Sequence, residues 1–348
     1  MRYPKGNIFG THRVLEPRGV LPQPALVVDN DMSVLYDNEI LVDVEILNVD
    51  SASFTQLEHA AEGDADRIAA LILAIVAERG KLQNPVTGSG GMFIGTVAKI
   101  GPALQDKIAL RPGDRVASLV SLSLTPLNLE RITEVRVDND QVHVQGQAIL
   151  FESGIYAKLP SDLPGPLALA VLDVAGAPAQ VARLVKPGDT VVIVGAGGKS
   201  GVLCAYEAHK RAGVTGTVIG IDSTERGLAK LRSLDLCDHT AALSATDAVA
   251  CHEAVAELTG GRLADLVVNC VNVPNTEMAS ILMCRQGGTV YFFGMATSFT
   301  KAALGAEGVG RDITMLIGNG YAKDHAEIAL NLLRESPPIR ALYEETYC

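Results

Sequence analysis

The sequence predicts an α/β protein in which a doubly wound parallel sheet follows a β-rich domain. Three observations support this prediction. The 348 residues are 48% hydrophobic and 20% charged, which is typical of a folded chain with about two domains. Short strand-like runs separated by turns fill residues 1–165. From residue 166 to 320, strand-like runs alternate with helical patterns, as in a sheet built from βαβ units.

The first half combines strand patterns with one helical pattern. Strand-like runs occur at 40–47, 95–100 and 135–144. The longest apolar stretch, 68–77, is too short to span a bilayer and has charged residues on both sides. We therefore predict a small β-barrel or sandwich with an inserted helix near residues 64–79.

The second half contains a glycine-rich turn between a strand pattern and a helix pattern. The β-branched run 190–194 leads into Gly195-Ala-Gly-Gly-Lys-Ser-Gly201, and the next apolar run ends at Asp222. Strand, glycine turn, helix, strand and acid are the parts of a dinucleotide-binding βαβ unit. The helix N-terminus offers N–H groups and a positive dipole end to phosphates.

Each glycine of this turn has an expected role. Gly195 permits the tight turn, and Gly201 permits close packing of the helix on the strand. Gly197 or Gly198 lets the backbone approach a pyrophosphate. The general alternative is a glycine turn that only begins a helix.

Lys199 and Ser200 lie inside the turn. We expect both to contact the pyrophosphate. For Lys199 the alternative is a solvated position in the first helical turn.

The residues after the second strand pattern bear on the choice of cofactor. The Asp222 carboxylate can accept hydrogen bonds from both ribose hydroxyls and repels a 2′-phosphate, so we expect NAD, with NADP as a weaker alternative. Ser223 and Arg226, which follow Asp222, could make the site more tolerant of a 2′-phosphate. Alternatively, Asp222 only caps the next helix. Cys270 and Val271, which end a third strand pattern, complete the expected cofactor site.

Composition excludes several classes of protein. The net charge of −11 argues against nucleic acid and anionic membranes as partners. The six cysteines form no C-x-x-C pair and all follow residue 200, which fits reduced thiols. The N-terminus lacks a signal-peptide pattern. The Gly-x-Ser-x-Gly pattern of a nucleophile elbow is also missing, which argues against a hydrolase. We expect a cytoplasmic protein with a small-molecule substrate, and a homo-oligomer, namely a dimer.

Three phrases and the order of the domains resemble the medium-chain dehydrogenase/reductase superfamily. They are Leu110-Arg-Pro-Gly-Asp-Arg-Val, Val185-Lys-Pro-Gly-Asp-Thr-Val-Val-Ile-Val-Gly and Gly287-Gly-Thr-Val-Tyr-Phe-Phe-Gly. The resemblance covers nearly the whole chain. It implies a GroES-like β-barrel domain over 1–165, a Rossmann domain over 166–320, and a C-terminal helix and tail over 321–348 that returns to the first domain.

The chain departs from the zinc-dependent members of that superfamily. Those members carry a cysteine in the first catalytic loop, a Gly-His-Glu sequence and a cysteine-rich lobe. Here the lobe is missing, and the resemblance implies a zinc-free member. The three ligand positions are then occupied by Asp50, Gly91 and Asp173.

A narrower resemblance concerns the substrate. The N-terminal phrase at 10–24, the inserted helix and Met92-Phe-Ile-Gly-Thr-Val are similar to a branch that oxidatively deaminates a diamino acid in bacterial lysine fermentation. Asp50 and Asp173 would suit its two ammonium groups, and either could be the general base. The alternative for Asp50 is an Asx-turn. Asp173 lies in a mostly apolar run, where a charge needs a partner.

Other candidates are weaker. Glu152 loosely matches an acid at the end of the family's barrel domain, as a catalytic residue or as a structural one. His12, Arg13 and Arg18 are candidates for the substrate carboxylate, or they belong to a solvated N-terminal segment.

We therefore expect NAD-dependent oxidative deamination, with hydride transfer in a cleft between the domains. One alternative is a zinc-free quinone or enone reductase that uses NAD(P)H, for which Asp222 is poorly suited. Another is a non-catalytic nucleotide-binding redox sensor, which leaves the two carboxylates unexplained.

Overall fold

The computed structural model describes residues 3–86, 88–318 and 320–347, without the side chains of residues 51 and 52. It divides the chain into two units, Met1–Leu169 and Ala170–Cys348. Each unit is built on a six-stranded sheet. The predicted boundaries at 165/166 and 320/321 stay predictions.

The first unit contains an antiparallel sheet with the strand order β6-β7-β3-β4-β5-β8 and a separate two-stranded sheet, β1-β2. Its elements are β1 (Val14–Glu16), β2 (Val27–Val28), β3 (Glu39–Asn48), α1 (Ser51–Ala60), α2 (Ala65–Arg79), β4 (Met92–Ile100), β5 (Arg115–Ser118), β6 (Leu127–Arg136), β7 (Gln141–Phe151) and β8 (Tyr156–Lys158).

Helix α2 is the inserted helix predicted near residues 64–79. Asp64 caps its N-terminus by accepting a hydrogen bond from the Arg67 amide, and Gly80 ends it in a left-handed conformation with φ 69°. Ile68, Ile72 and Val76, spaced four residues apart, bury one face of α2 in the core of the sheet. Helix α1 was not predicted; the sequence offered an Asx-turn at Asp50, and the structure has Asp50 as the N-cap of this helix.

The second unit contains a fully parallel sheet with the order β11-β10-β9-β12-β13-β14. Its elements, with a helix shared at the boundary, are α3 (Gly165–Leu172), α4 (Gly176–Leu184), β9 (Thr190–Val194), α5 (Lys199–Ala212), β10 (Thr217–Asp222), α6 (Glu225–Leu234), β11 (His239–Ala242), α7 (Ala248–Leu258), β12 (Ala264–Asn269), α8 (Glu277–Met283), β13 (Cys284–Phe292), α9 (Phe299–Gly308), β14 (Thr314–Ile317), α10 (His325–Glu335) and α11 (Pro337–Tyr347).

The strand order reverses at β9, which lies between β10 and β12. In open parallel sheets, ligands bind outside the carboxyl ends of the strands at such a switch point. The carboxyl end of β9 is where the glycine turn begins. This topology places the candidate nucleotide site inside the second unit.

The two tail helices pack within the second unit. The Tyr343 hydroxyl on α11 donates a hydrogen bond to the Lys199 carbonyl, and Lys210 on α5 contacts Glu335 on α10 at 2.5 Å. These contacts lie within the second unit, and the expected return of the tail to the first domain stays a prediction. Apolar residues of α10, including Leu332 and Leu333, are buried and account for this packing.

Within the described part of the chain, no single helix is long and apolar enough to cross a membrane. Helices α3 and α4, bent by 54° at their junction, reach the required length and composition only as a pair.

Candidate functional site

The turn after β9 has the geometry of a tight connection. All five residues of β9 are buried, and Gly195 follows them with φ 75°, a conformation that favours glycine. The Gly195 amide donates to the Ile221 carbonyl at 2.8 Å, which links the turn to β10. Helix α5 then starts at Lys199, after Gly198 in extended conformation, without a side-chain cap. Its first N–H groups have no acceptor one turn earlier.

The other glycines are required for different reasons. A Cβ at Gly201 would lie 2.1 Å from the Gly195 carbonyl oxygen, so Gly201 permits close packing of α5 on the turn. A Cβ at Gly197 would lie 2.3 Å from Cα of Gly227 on α6. Beside Gly198 the nearest atom would be 3.3 Å away. Of the two glycines expected to face a pyrophosphate, Gly198 is the less crowded, since an added Cβ would meet only the Gly195 carbonyl oxygen, and Gly197 instead packs against α6.

Asp222 ends β10 and connects three parts of the site. Its Oδ2 accepts a hydrogen bond from the Gly197 amide at 3.0 Å. Its Oδ1 accepts from the amide and hydroxyl of Thr224 at 2.9 and 2.7 Å. The Thr224 hydroxyl caps α6 through the Gly227 amide. The helix cap is therefore Thr224, and Asp222 orients it while keeping its carboxylate beside the glycine turn.

A groove runs along the carboxyl ends of β9 and β10 and the loops after β11 and β12. Its lining includes Gly195, Asp222, Ser223, Ser244, Val271 and Thr276. The expected site residues Gly195, Asp222, Ser223 and Val271 thus lie together. Arg226 does not join them, because it lines a separate depression that also contains Lys230 and Leu342. Ser244 and Thr276 were not predicted, although both follow carboxyl ends of parallel strands.

Cys270 and its neighbours fix the loop after β12. The Cys270 amide donates to the Val194 carbonyl at 2.9 Å, and its Sγ lies 3.8 Å from Cys204 Sγ. The buried Asn269 side chain donates to Thr276 and Ser280, each at 2.9 Å. Sequence reasoning missed Asn269, whose role depends on loop contacts. The five described cysteines are free thiols, and Cys348 lies outside the described residues.

Lys199 and Asp173 form an ion pair. Lys199 Nζ lies 2.7 Å from Asp173 Oδ2 and 5.3 Å from the centre of the Tyr347 ring. The partner that the Asp173 charge needs is therefore Lys199. The sequence did not predict this pair. We expected Lys199 either to contact a pyrophosphate or to lie in a solvated first turn of the helix. Ser200, the next residue, is buried.

Asp50 sits at the start of α1 in the first unit. Its Oδ1 accepts from the Ser53 amide at 3.0 Å and so caps the helix. Its Oδ2 is buried and has no hydrogen-bond partner among the described residues. Gly91 packs against this segment with φ 103°, where a Cβ would lie 2.1 Å from the Asn48 carbonyl oxygen. The cap accounts for one carboxylate oxygen and leaves the other without a donor among the described residues.

Glu152 contacts residues that give it a supporting role. Lys107 Nζ donates to one carboxylate oxygen at 2.9 Å, and Asn38 Nδ2 donates to the other at 3.1 Å. These two donors hold the pKa of Glu152 below its usual value. The contacts favour the structural interpretation of Glu152.

Arg13 is fully buried beside Glu39. Its Nε and one terminal nitrogen donate to the two Glu39 oxygens at 2.8 and 2.7 Å, and His12 Nε2 lies 2.8 Å from Glu39. Because Glu39 is also fully buried, Arg13 is committed to this pair and is not available to a substrate carboxylate. Arg18 is exposed.

Within the ranges that the structure describes, no three His, Cys, Asp or Glu side chains are grouped to hold a metal ion. Gly91 contributes no side chain at the middle of the three positions that hold zinc ligands in zinc-dependent members.

The fold is shared with solved dehydrogenases. An alcohol dehydrogenase from Thermotoga maritima is 16% identical, with 90% of this chain and 86% of that chain covered and a TM-score of 0.54. The alcohol dehydrogenase TADH from Thermus sp. ATN1 is 20% identical over 88% and 85% of the two chains, with a TM-score of 0.53. A mycobacterial protein in complex with NADPH is 21% identical over 89% and 81%, with a TM-score of 0.52. The predicted α/β architecture is confirmed.

Family comparisons are more specific. Residues 12–160 match the L-erythro-3,5-diaminohexanoate dehydrogenase N-terminal domain, and residues 201–309 match the zinc-binding dehydrogenase family. L-erythro-3,5-diaminohexanoate dehydrogenase from Acetoanaerobium sticklandii is 60% identical over 99% of both chains. The enzyme of that name from Fusobacterium nucleatum subsp. nucleatum is 57% identical over 99% of both chains. The chain therefore belongs to the L-erythro-3,5-diaminohexanoate dehydrogenase family, within the medium-chain dehydrogenase/reductase superfamily.

Proposed function

We propose that this protein catalyses the NAD-dependent oxidative deamination of L-erythro-3,5-diaminohexanoate to 5-amino-3-oxohexanoate, ammonium and NADH. The observation that carries the proposal is the 60% identity, over 99% of both chains, to a curated enzyme of that name. The contacts within each unit supply groups that such a reaction needs.

The second unit provides the features for holding a dinucleotide. The start of α5, which has no side-chain cap, and the absence of a side chain at Gly198 before it suit a pyrophosphate. The groove beside Asp222 suits a ribose, whose hydroxyls would donate to the carboxylate. The negative charge of Asp222 favours NAD over NADP, since a 2′-phosphate would be repelled. When bound, the nicotinamide serves as the hydride acceptor.

The first unit provides a carboxylate for an amine. Asp50 Oδ2 is buried without a partner among the described residues, and an ammonium group is a donor that would satisfy it. The amine must be neutral before hydride leaves its carbon, so Asp50 is our proposed general base. After hydride transfer, water adds to the resulting iminium carbon and releases one proton to solvent. Asp50 then returns its proton to the nitrogen, and the carbonyl forms as the C–N bond breaks, with the hydroxyl proton passing to the nitrogen, which leaves as ammonium.

We infer that the reaction uses no zinc. The three expected ligand positions hold Asp50, Gly91 and Asp173, and a glycine cannot serve as a side-chain ligand. Asp173 is also paired with Lys199.

Steady-state kinetics test this function against its nearest alternative. We expect turnover of L-erythro-3,5-diaminohexanoate with NAD, weaker use of NADP, and no comparable reduction of a simple quinone by NADH or NADPH. Pre-incubation with a chelator is the metal control and should leave the rate unchanged. Quinone turnover without diamine turnover would support the reductase alternative, and loss of activity on chelation would overturn the zinc-free assignment.

A further inference from the structure

The Lys199 ammonium occupies a position where an ammonium from solution would be well bound. Its Nζ lies 2.7 Å from Asp173 Oδ2 and 5.3 Å from the centre of the Tyr347 ring. A carboxylate and the face of an aromatic ring are two of the groups that bind alkylammonium ions in proteins. Asp173 and Tyr347 together therefore form an ammonium site that the chain fills with its own lysine.

This site is accessible to an outside cation. The side chains of Lys199 and Asp173 are 28% and 35% exposed, so water reaches both partners. An ion pair with this exposure contributes little stability, and a competing ammonium can replace one partner at small cost. Burial, followed by the Asp173 charge, raises the pKa of Tyr347, so its ring stays neutral near pH 7.

Lys199 also lies next to the candidate pyrophosphate site. It is the first residue of α5 and directly follows Gly198, where an added Cβ would meet its nearest protein atom at 3.3 Å. The Tyr343 hydroxyl holds the Lys199 carbonyl, so the long side chain can change direction while the backbone stays in place. Lysine binds phosphate as a mobile point charge.

We propose that Lys199 pairs with Asp173 in the nucleotide-free protein and moves to the pyrophosphate when the dinucleotide binds. Asp173 and Tyr347 then receive one of the two ammonium groups of the diamino acid. This inference rests on the proposed function, whose substrate and cofactor it uses. It makes Tyr347 a substrate-binding residue and gives Asp173 and Lys199 linked roles. Because one lysine cannot neutralise both anions, nucleotide and diamine strengthen each other's binding.

Isothermal titration calorimetry of the full chain measures this coupling directly. The probe is L-erythro-3,5-diaminohexanoate, titrated with and without saturating NADH, which cannot accept a hydride and so permits no turnover. ADP-ribose serves as a second nucleotide, because it carries the pyrophosphate without nicotinamide. We expect both nucleotides to tighten diamine binding at least fivefold, within the usual range of about 5–150-fold for coupled sites.

Substitutions identify the residue that carries the coupling. In Lys199→Met, we expect the diamine to bind without nucleotide as tightly as it binds the wild-type complex, and NADH to change that affinity less than about twofold. Lys210→Met is the matched control, because Lys210 lies on the same helix but pairs with Glu335, and its coupling should equal that of the wild type. Tyr347→Leu should weaken diamine binding to the NADH complex about threefold or more.

The outcomes separate this inference from the proposed function. The proposed movement of Lys199 would be overturned if nucleotide still tightened diamine binding to Lys199→Met as much as it does in the wild type. It would also be overturned if nucleotide-free Lys199→Met bound the diamine more weakly than the nucleotide-free wild type. In both cases, steady-state turnover of the diamine would still support the proposed function. A wild-type protein that binds no diamine with or without nucleotide would contradict both.

Discussion

The two carboxylate oxygens of Asp222 make different contacts. Oδ1 holds Thr224, and Oδ2 accepts from the Gly197 amide of the glycine turn. Its charge is the feature that would exclude a 2′-phosphate. A useful substitution at this position must therefore remove the charge without removing the turn contacts.

Asp222→Asn meets that requirement, because its amide oxygen can still accept a hydrogen bond from Thr224 or Gly197. We expect kcat/KM with NADP to rise and kcat/KM with NAD to fall about tenfold or more, since a hydrogen bond to a charged group contributes about 1.5–3 kcal/mol. Asp222→Ser should show the same trend with a lower Tm. Unchanged kinetics with both cofactors would remove Asp222 from the site.

Asp50 can be tested in the same manner. Asp50→Asn keeps an oxygen for the Ser53 amide, so α1 should remain capped. Loss of the charged contact should lower kcat/KM for the diamine about ten- to two-hundredfold, while NAD affinity and Tm stay near wild type. Asp64→Asn at the cap of α2 is the matched control and should leave activity unchanged. Near-normal efficiency of Asp50→Asn would show that Asp50 only caps a helix.

At the scale of elements, one buried ion pair ties the N-terminal segment to the first sheet. Arg13, just before β1, meets Glu39 at the start of β3, and both side chains are fully buried. Burial by itself would raise the pKa of Glu39, but hydrogen bonds from Arg13 and His12 and the Arg13 charge hold it below its usual value of 4.5. Stability from this pair is therefore present above the ordinary carboxyl pKa and is lost as the pH falls through the lowered one.

Glu39→Gln should destabilise the protein by about 3–5 kcal/mol at pH 7, because it removes the buried carboxylate that pairs with Arg13 and leaves only the partly exposed Asp29 carboxylate, 3.6 Å away. Urea unfolding measures the loss, and the difference from wild type should shrink as the pH falls to about 3. Glu62→Gln is the control, since the Arg67–Glu62 pair is 53% and 79% exposed and should contribute at most about 1 kcal/mol. A loss no larger than that of the control would show that the buried pair does not stabilise the protein.

Elements whose caps, apolar spacing and terminal glycine are visible in the sequence could be predicted. Elements that depend on contacts with residues far away in the sequence could not. Helix α2 has a cap, a four-residue apolar spacing and a terminal glycine, all visible in the sequence. Helix α1 has a small, polar first turn, Ser51-Ala-Ser53, and depends on the Asp50 cap. The tail was placed by analogy, and its packing on α4 and α5 depends on contacts that no local pattern encodes.

The same distinction holds for the candidate site. The glycine turn and Asp222 were predicted from their spacing in the strand, turn, helix and strand pattern of a dinucleotide-binding unit. The structure places Gly195 and Asp222 in the same groove. The Lys199–Asp173 pair joins residues 26 positions apart, and no sequence motif predicts this contact. Arg226 was chosen for its proximity to Asp222 in sequence, but the start of α6 directs it to another face.

At the scale of the whole molecule, membership of the L-erythro-3,5-diaminohexanoate dehydrogenase family rests on identity over nearly the full length. The superfamily fold alone would not choose between a reductase and an amine dehydrogenase, because fold does not determine function. The assignment of NAD, the zinc-free mechanism and a homodimer stay predictions.

The most direct test of the account is the stoichiometry of a complete reaction. L-erythro-3,5-diaminohexanoate is incubated with the protein and excess NAD, and NADH, ammonium and remaining substrate are each quantified. Oxidative deamination predicts one NADH and one ammonium for each diamine consumed. NADH without ammonium, or no NADH from this diamine, would contradict the proposed function.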